Sequence, residues 1–234
     1  MSDLLTICDL HVSYHDGTAA LRGLSLAVAA GEKVALIGPN GAGKTSLLLT
    51  IMGALPFAGS ITVDGIDLTR GSAPRTRSRC GMTFQDSDDQ LFMPTLLDDV
   101  AFGPLNQGLD PTAARKQALQ AIVAVGLAGL DSRSGHHLSG GQKRRAALAT
   151  VLSMQVKLLL LDEPGSSLDA RSLRHLADLL AARSEAMLLA THDLPLVRRL
   201  CSRAILIDDG RTIADGSASA ILDDHDLLMR HGLA

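Results

Sequence analysis

Hydrophobic and polar positions along this chain switch repeatedly between two spacings. Short apolar segments have the length of strands, and they occupy residues 6–12, 33–37, 60–63, 157–161, 186–190 and 204–207. Segments with apolar residues at helical spacing lie between them, at 45–52, 112–125, 142–154 and 172–183. Segments 157–161 and 186–190 are almost wholly apolar, which is typical of parallel strands covered on both faces. The alternation predicts an α/β fold with helices on both faces of a sheet.

Two regions depart from this alternation. Residues 1–30 and 58–70 have the pattern of short, turn-rich strands, which predicts a small antiparallel sheet at one edge of the core. Residues 86–150 are helical after an acidic, loop-like start, and Asp110 followed by Pro111 predicts a helix N-terminus there. We therefore expect one domain spanning residues 1–234, with a helical subdomain inserted at about 86–150.

Composition and charge exclude several classes of protein. The chain has 22 basic and 25 acidic residues, and only 2% of its residues are aromatic. It therefore has neither the basic surface nor the base-stacking platform of a nucleic-acid-binding protein. Three scattered cysteines fit a reducing compartment. No apolar run approaches the roughly 18 residues that span a bilayer, and no signal peptide is recognisable, so any membrane role is expected to come through a partner.

A glycine-rich loop follows the segment that ends at Ile37. It reads G-x-x-x-x-G-K-T between a predicted strand and a predicted helix, which is the context that a phosphate-binding loop requires. Backbone N–H groups would cradle the phosphates, Lys44 would reach the β- and γ-phosphates, and the Thr45 hydroxyl would ligate Mg²⁺. The alternative is an ordinary turn with a chance lysine, which the context disfavours. The predicted nucleotide-binding residues are Gly38, Pro39, Asn40, Gly41, Ala42, Gly43, Lys44, Thr45 and Ser46.

Two acids end the apolar segment 157–161. Asp162 and Glu163 fall at the carboxyl end of a predicted buried strand, the edge at which open α/β sheets bind ligands. Asp162 is placed to hold Mg²⁺, and Glu163 to orient or deprotonate the water that attacks the γ-phosphate. A solvated strand end is the alternative, and the phosphate-binding loop earlier in the chain argues against it.

The sequence Leu-Ser-Gly-Gly-Gln at 138–142 precedes another predicted helix. Ser139 and Gln142 have the spacing of a capping box, and the two glycines could simply ease the turn. The same helix N-terminus also suits an anion, because its first N–H groups point outward. The residues alone leave both interpretations open.

Six motifs together carry a family resemblance. In chain order they are GPNGAGKT (38–45), FQD (84–86), LSGGQ (138–142), LLLLDEP (158–164), SLD (167–169) and THD (191–193). The set resembles the nucleotide-binding subunit of ABC transporters over nearly the whole chain, and LSGGQ is close to diagnostic. The resemblance implies a P-loop NTPase (RecA-like) core with an edge antiparallel β subdomain and an inserted helical subdomain. It also implies ATP hydrolysis with Mg²⁺ at the cytoplasmic face of the cell membrane.

The resemblance further implies a dimer with ATP between the subunits. Ser139 and Gly141 would contact the γ-phosphate bound to the partner's phosphate loop, and Asp169 would bridge the two subunits. The alternative for Asp169 is an N-cap for a helix at 170–183. The partner is expected to be a second copy or a paralogous ATPase.

Three more roles follow from the resemblance. Gln85 would touch Mg²⁺ and the attacking water, and His192 would contact the γ-phosphate; the alternatives are a solvated strand end and a loop histidine. Tyr14, the sole tyrosine, lies where the family places an aromatic that stacks on adenine. A strand residue packed on the core is the alternative for Tyr14.

Residues 84–106 and 138–154 are similar to the ATPases of energy-coupling-factor importers. That similarity implies a transmembrane coupling subunit and a small substrate-binding membrane subunit as partners. We expect cobalt or nickel as the cargo, with biotin or another vitamin as the alternative.

The main rival class is a soluble ABC ATPase acting on DNA or ribosomes. DNA-repair members insert long coiled coils between the phosphate-binding loop and LSGGQ, and in this chain Lys44 and Ser139 are too close in sequence for such an insertion. Translation factors carry two cassettes, whereas this chain has one. A P-loop kinase or GTPase has no place for LSGGQ. A nucleotide sensor without hydrolysis is disfavoured by the intact Glu163.

Overall fold

The computed structural model describes residues 3–166 and 168–233. The strands are β1 (Asp3–Ser13), β2 (Ala19–Ala29), β3 (Lys33–Ile37), β4 (Ala58–Val63), β5 (Ile66–Asp67), β6 (Cys80–Thr83), β7 (Leu158–Asp162), β8 (Ala186–Ala190), β9 (Arg203–Asp208) and β10 (Arg211–Ser217). The helices are α1 (Lys44–Ile51), α2 (Ala73–Arg77), α3 (Leu96–Asn106), α4 (Pro111–Ala124), α5 (Gly140–Leu152), α6 (Ala170–Ala181), α7 (Leu194–Leu200), α8 (Ala218–Asp223) and α9 (His225–Arg230), with a 3-10 turn at Gly135–His137.

These elements form two compact units. The first, here called the sheet unit, comprises residues 3–82, 157–162 and 184–233. The second, the helical unit, comprises residues 83–156 and 163–183. Ser167, the first residue of the predicted SLD motif, lies outside the described residues. No helix in the described ranges is long and apolar enough to cross a membrane.

A six-stranded sheet forms the core of the sheet unit. Its order is β10-β9-β3-β8-β7-β6, and the central neighbours β9, β3, β8 and β7 run parallel to one another. Every residue of β7 and β8 is buried, as expected for parallel strands covered on both faces. The predicted α/β core is therefore confirmed. Strands β6 and β10 were not predicted, because β6 has only four residues and β10 alternates exposed and half-buried positions with no buried residue.

A second, four-stranded sheet lies in the same unit. It has the order β2-β1-β4-β5 and is antiparallel throughout, which confirms the small antiparallel sheet predicted from residues 1–30 and 58–70. Leu5, Leu10 and Leu24 on its inner face are completely buried. Aliphatic side chains dominate the core, in line with the low aromatic content.

Side-chain caps define the helices of the helical unit. Asp110 accepts hydrogen bonds from the N–H groups of Thr112 and Ala113, so the predicted helix start at Asp110 is confirmed. Thr95 caps α3 in the same manner, by accepting from the N–H of Asp98. Each cap satisfies an N–H group that the first helical turn leaves without an intrahelical acceptor.

Candidate nucleotide-binding and hydrolysis site

The phosphate-binding loop is built between β3 and α1, as the sequence predicts. Two of its glycines are required by their surroundings: a Cβ at Gly38 would clash with the carbonyl oxygen of Ile207, and one at Gly43 would lie 2.7 Å from that of Ala20. Gly43 also has φ +103°, in the left-handed region, and it directly precedes α1. The backbone thus turns closely enough for loop N–H groups to face a phosphate at a helix N-terminus.

Lys44 is the first residue of α1 and is buried within this loop. Its Nζ donates hydrogen bonds to the carbonyl oxygens of Gly38 at 2.6 Å and Pro39 at 3.0 Å. The ammonium group is therefore folded back over the loop, at the level where phosphate oxygens would lie. A small movement of the side chain would let the ammonium group donate to phosphate oxygens in place of these carbonyls.

Thr45 and Asp162 meet at the end of this loop. The Thr45 hydroxyl donates a 2.7 Å hydrogen bond to Oδ2 of Asp162, the last residue of β7. Asp162 is only 1% exposed, and a carboxylate so deeply buried requires compensating partners. A hydroxyl and a carboxylate side by side are the hard oxygen donors that Mg²⁺ selects, so these residues fit the predicted Mg²⁺ site.

Three neighbouring parallel strands converge on this edge of the sheet. β8 pairs with both β3 and β7, so the segments after their carboxyl ends lie side by side. The loop after β8 carries His192, which is exposed, between Thr191 and Asp193. The Thr191 N–H donates to the Leu36 carbonyl at 3.1 Å, which ties this loop to the strand that leads into the phosphate-binding loop. A ligand-binding edge of this kind is general for open α/β sheets.

Glu163 directly follows Asp162 and is also buried, at 6% exposure. Its φ is +46°, in the left-handed region that side chains other than glycine rarely adopt. Such conformations cost free energy and concentrate at functional sites. Glu163 is therefore held by its neighbours in an orientation that its backbone does not favour.

Tyr14 follows β1 and is 43% exposed, so it is not packed in the core, and that alternative for it is wrong. Its hydroxyl shares a 2.7 Å hydrogen bond with Oγ of Ser46 in the first turn of α1. The hydroxyl is thus anchored beside the phosphate-binding loop, and the exposed part of the side chain is accessible to a flat ligand.

The LSGGQ segment forms the N-terminus of α5 in the helical unit. Its capping box is confirmed: Ser139 Oγ accepts from the Gln142 N–H, and Gln142 Oε1 accepts from the Ser139 N–H at 2.9 Å. Ser139 and Gly140 are exposed, and the first-turn N–H groups of Gly140 and Gly141 have no intrahelical acceptor. Capping and anion binding are therefore compatible, because the cap leaves two outward N–H groups at a positive helix end.

Gln85 is exposed in the loop after β6, and the loop is tied to α5 by residues that the sequence analysis did not single out. Arg144 Nη1 donates to the carbonyl of Phe84 at 3.0 Å, and Gln90 Oε1 accepts from the N–H of Phe84 at 3.1 Å. Lys143 Nζ forms a 2.6 Å ion pair with Asp88. No spacing rule reveals the contacts of Lys143 and Arg144, because they join residues about 55 or more positions apart.

Asp169 caps α6. Its Oδ1 accepts a 2.7 Å hydrogen bond from the Ser172 N–H, which lowers the pKa of its carboxyl below the usual value. The N-cap alternative for Asp169 is therefore confirmed. The side chain stays solvent-accessible, so the cap does not prevent a further contact.

Comparison with known proteins fits this arrangement. A family model described as "ABC transporter" matches residues 21–166, more than half of the chain. The chain therefore belongs to the ABC transporter family. It is an ATP-binding subunit of such a transporter, an ATPase whose hydrolysis of ATP is coupled to transport.

Three similar proteins refine the picture. A Streptomyces coelicolor protein with the name of an ABC transporter ATP-binding protein is 46% identical over 98% of this chain and 88% of its own length. The energy-coupling factor transporter ATP-binding protein of Methanothermobacter thermautotrophicus is 38% identical over 98% of this chain and 76% of its own length. The structure of CbiO1 from Clostridium perfringens, described as part of the ABC transporter complex CbiONQ, aligns with a TM-score of 0.84 and 32% identity over 100% of this chain and 96% of that one.

Proposed function

We propose that this ATPase powers an energy-coupling-factor type importer from the cytoplasmic face of the membrane. Its partners would be a transmembrane coupling subunit and a small substrate-binding membrane subunit. The proposal rests on an exposed aromatic pair in the helical unit, in a segment similar to energy-coupling-factor ATPases. Similarity to the Methanothermobacter protein and to CbiO1 supports the same class.

The aromatic pair consists of Phe92 and Phe102. Phe92 is 61% exposed and Phe102 is 42% exposed, and the rings contact edge to face with centroids 5.2 Å apart. Leu105 in the last turn of α3 is also 43% exposed. In a protein with only four phenylalanines, leaving two of them in solvent side by side suggests a surface that a partner covers. The partner that fits is an apolar helix of an integral membrane protein.

The chemistry that we propose follows the roles that the sequence motifs predict. Lys44 neutralises charge on the β- and γ-phosphates, exchanging its bonds to loop carbonyls for bonds to phosphate oxygens. Glu163 orients the water, and accepts its proton as it attacks the γ-phosphate. His192 and Gln85 would contact the γ-phosphate and the water, respectively. Tyr14 would stack on the adenine.

Thr45, Asp162 and Gln85 would hold Mg²⁺. When bound, the ion supplies charge neutralisation on the phosphate oxygens. Thr45 and Asp162 already share a hydrogen bond, so their oxygens are preorganised as neighbours.

Two such ATPases are proposed to pack head to tail, as a homodimer or with a paralogue. Ser139 and Gly141 would bind the γ-phosphate held by the partner subunit, using the outward N–H groups at the start of α5. Asp169 would bridge the two subunits. We propose that each chain contributes one nucleotide-binding domain over residues 1–234, with the helical subdomain at about 86–150. ATP would then draw the subunits together, and hydrolysis would release them.

The proposed cargo is cobalt or nickel, on the resemblance of residues 84–106 and 138–154 to the ATPases of energy-coupling-factor importers. Biotin or another vitamin is the second candidate, because the ATPase of such an importer does not itself select the cargo. A soluble ABC ATPase acting on DNA or ribosomes is the rival class, and the net charge of -3 gives it no electrostatic support.

Affinity purification from native membranes, followed by mass spectrometry, tests this function. Wild type is compared with Phe92→Ser and with a matched control, Val123→Ser on α4, because Val123 is 60% exposed and lies in the same unit. We expect an integral coupling protein and a small membrane protein to be captured by wild type and by Val123→Ser, and to be lost with Phe92→Ser. Capture of ribosomal or DNA-repair proteins alone would mean that the importer proposal is wrong. The identity of the small membrane protein separates metal from vitamin cargo.

A further inference from the structure

We infer that Gln90 is a positioning residue that ties the loop carrying Gln85 to the helix that begins with the LSGGQ segment. The inference deepens the proposed function, since it rests on the role proposed there for Gln85. Gln90 lies five residues beyond Gln85 and is half-buried within the helical unit. Its side-chain amide uses both ends to join two separate pieces of backbone.

The acceptor end of Gln90 holds the loop. Oε1 accepts from the N–H of Phe84 at 3.1 Å, while Arg144 donates to the carbonyl of the same residue at 3.0 Å. Phe84 directly precedes Gln85, so the N–H and the carbonyl of the residue before Gln85 are both held, the N–H by Gln90 later in the same loop and the carbonyl by Arg144 on α5. Arg144 is only 9% exposed, and a buried guanidinium bonded to a carbonyl is a strong, directional contact.

The donor end of Gln90 holds α5. Nε2 donates to the carbonyl of Ala147 at 3.0 Å and to the hydroxyl of Thr150 at 2.6 Å, and that hydroxyl in turn donates to the Ala147 carbonyl at 2.8 Å. Arg144, Ala147 and Thr150 are spaced three residues apart, so they lie along one face of the helix. This face of α5 therefore carries the whole attachment, which we call the Gln90 clamp: Phe84, Gln90, Arg144, Ala147 and Thr150.

The clamp has a mechanical consequence. A helix of this length moves as a stiff rod, so its N-terminal end at Ser139 and the face that holds Phe84 shift together. A γ-phosphate engaged at the start of α5 would thereby set the position of Gln85, and displacement of Gln85 would be felt at Ser139. The clamp thus links recognition of the γ-phosphate held by the partner subunit to the placement of the attacking water by Gln85, through the side chains of Gln90, Arg144 and Thr150.

ATP hydrolysis by the full chain tests the role of Gln90. The variants are Gln85→Ala, Gln90→Ala and the double variant, with Gln120→Ala on the exposed face of α4 as the matched control. Because Gln90→Ala removes three hydrogen bonds, we expect kcat to fall roughly tenfold while the affinity for ATP stays unchanged. The double variant should be no slower than Gln85→Ala alone, because Gln90 acts through Gln85. Gln120→Ala should match wild type.

Three outcomes would overturn the inference, and they can be told apart. Wild-type kcat in Gln90→Ala, beside a slow Gln85→Ala, would show that the clamp does not position Gln85. Multiplying effects in the double variant would show that the two residues act independently. Wild-type kcat in Gln85→Ala would refute the role proposed for Gln85 itself, and the inference that Gln90 acts by positioning Gln85 would fall with it.

A pair of milder variants guards against a folding defect. Thr150→Ser keeps the hydroxyl that Gln90 contacts and loses a methyl group, whereas Thr150→Val keeps the volume and loses the hydroxyl. The clamp predicts wild-type turnover for Thr150→Ser and a several-fold fall for Thr150→Val. The reverse order would mean that Thr150 matters only for packing, and the clamp would be refuted.

Discussion

The hydroxyl of Thr45 donates a 2.7 Å hydrogen bond to the carboxylate of Asp162, across 117 positions of the sequence. Thr45 stands in the first turn of α1, whereas Asp162 is the final residue of β7. The bond joins the phosphate-binding loop directly to the acidic strand end. Two motifs that are separate in the sequence therefore form one site in the fold.

We predict that Asp162→Asn folds normally and loses most of its Mg²⁺-dependent ATPase activity. The amide oxygen of asparagine can still accept from Thr45, but the charge that would hold the cation is gone. Loss of charge stabilisation in a metal-assisted step costs several kcal/mol, so turnover should fall at least roughly a hundredfold. Steady-state hydrolysis across a Mg²⁺ titration measures this.

Asp67→Asn is the control for Asp162→Asn. Asp67 accepts a 2.7 Å hydrogen bond from the Thr62 hydroxyl, so it reproduces the same threonine–aspartate pair at an exposed position. We expect its turnover to equal that of wild type. Equal activity in Asp162→Asn and wild type would exclude Asp162 from the Mg²⁺ site.

Glu163→Gln should bind ATP and fail to hydrolyse it. The glutamine keeps the size of the side chain but cannot take a proton from water, and general-base catalysis contributes roughly 10²- to 10⁴-fold. ATP should then hold two subunits together, which size-exclusion chromatography with ATP would detect as a stable dimer. Glu185→Gln, before β8, is the control. A hydrolysis rate near that of wild type in Glu163→Gln would remove Glu163 from the proposed mechanism.

Elements with a strong local pattern were predicted well from the sequence. The strand at Ala186–Ala190 has the predicted bounds, while β7 is displaced by one residue because Asp162, a polar residue, completes the ladder. Caps were predictable too, since Asp110 and the Ser139–Gln142 pair act over three residues or fewer. Strand β10 was missed because it pairs antiparallel with β9 at an edge and has no apolar face to reveal it.

Tyr14 allows the contributions of its ring and its hydroxyl to ATP affinity to be separated. Tyr14→Ala removes the stacking surface, and aromatic–base stacking is worth about 1–3 kcal/mol, so the Kd for ATP should rise roughly ten- to hundredfold. Tyr14→Phe keeps the ring and loses the hydrogen bond to Ser46, so its Kd should rise only a few-fold. Titration with a fluorescent ATP analogue measures both. Identical affinity in Tyr14→Ala and wild type would show that adenine lies elsewhere.

Asp99 gives a pH-dependent prediction. It is 4% exposed, and its Oδ1 accepts from the N–H groups of Phe92 and Met93, whereas its Oδ2 is buried and has no hydrogen-bond partner among the described residues. Burial raises the pKa of this carboxyl, against the effect of the two backbone bonds. Neighbouring Asp98 raises the pKa further, and His136 lowers it.

The sign of the Asp99 effect follows from that raised pKa. The folded carboxyl holds its proton more tightly than the unfolded one, so its contribution to stability is complete in acid and is lost as the pH rises through the folded pKa. Asp99→Asn cannot ionise, so its melting temperature should fall less than that of wild type between acid and neutral pH. Thermal melts at a series of pH values test this, with Asp89→Asn as an exposed control. Parallel curves for Asp99→Asn and wild type would contradict it.

Contacts between distant side chains lay beyond the reach of the sequence. The bond from Tyr14 to Ser46 and the Gln90 clamp depend on where rotamers meet after the chain has folded, and no period or spacing encodes that meeting. Phosphate-loop residues were predictable because glycine, lysine and threonine there perform their roles through backbone geometry within eight positions.

The backbone of Glu163 suggests how an inactive descendant of this protein could be recognised. Of the five non-glycine residues with positive φ in the described ranges, Glu163 alone is buried, and the others are aspartates or a glutamine at more accessible positions. Asparagine or glycine would adopt this conformation at lower cost. A lineage released from selection for turnover should therefore drift toward those residues here and become more stable as it does so. Retention of an energetically unfavourable glutamate would mark a chain in which hydrolysis is still under selection.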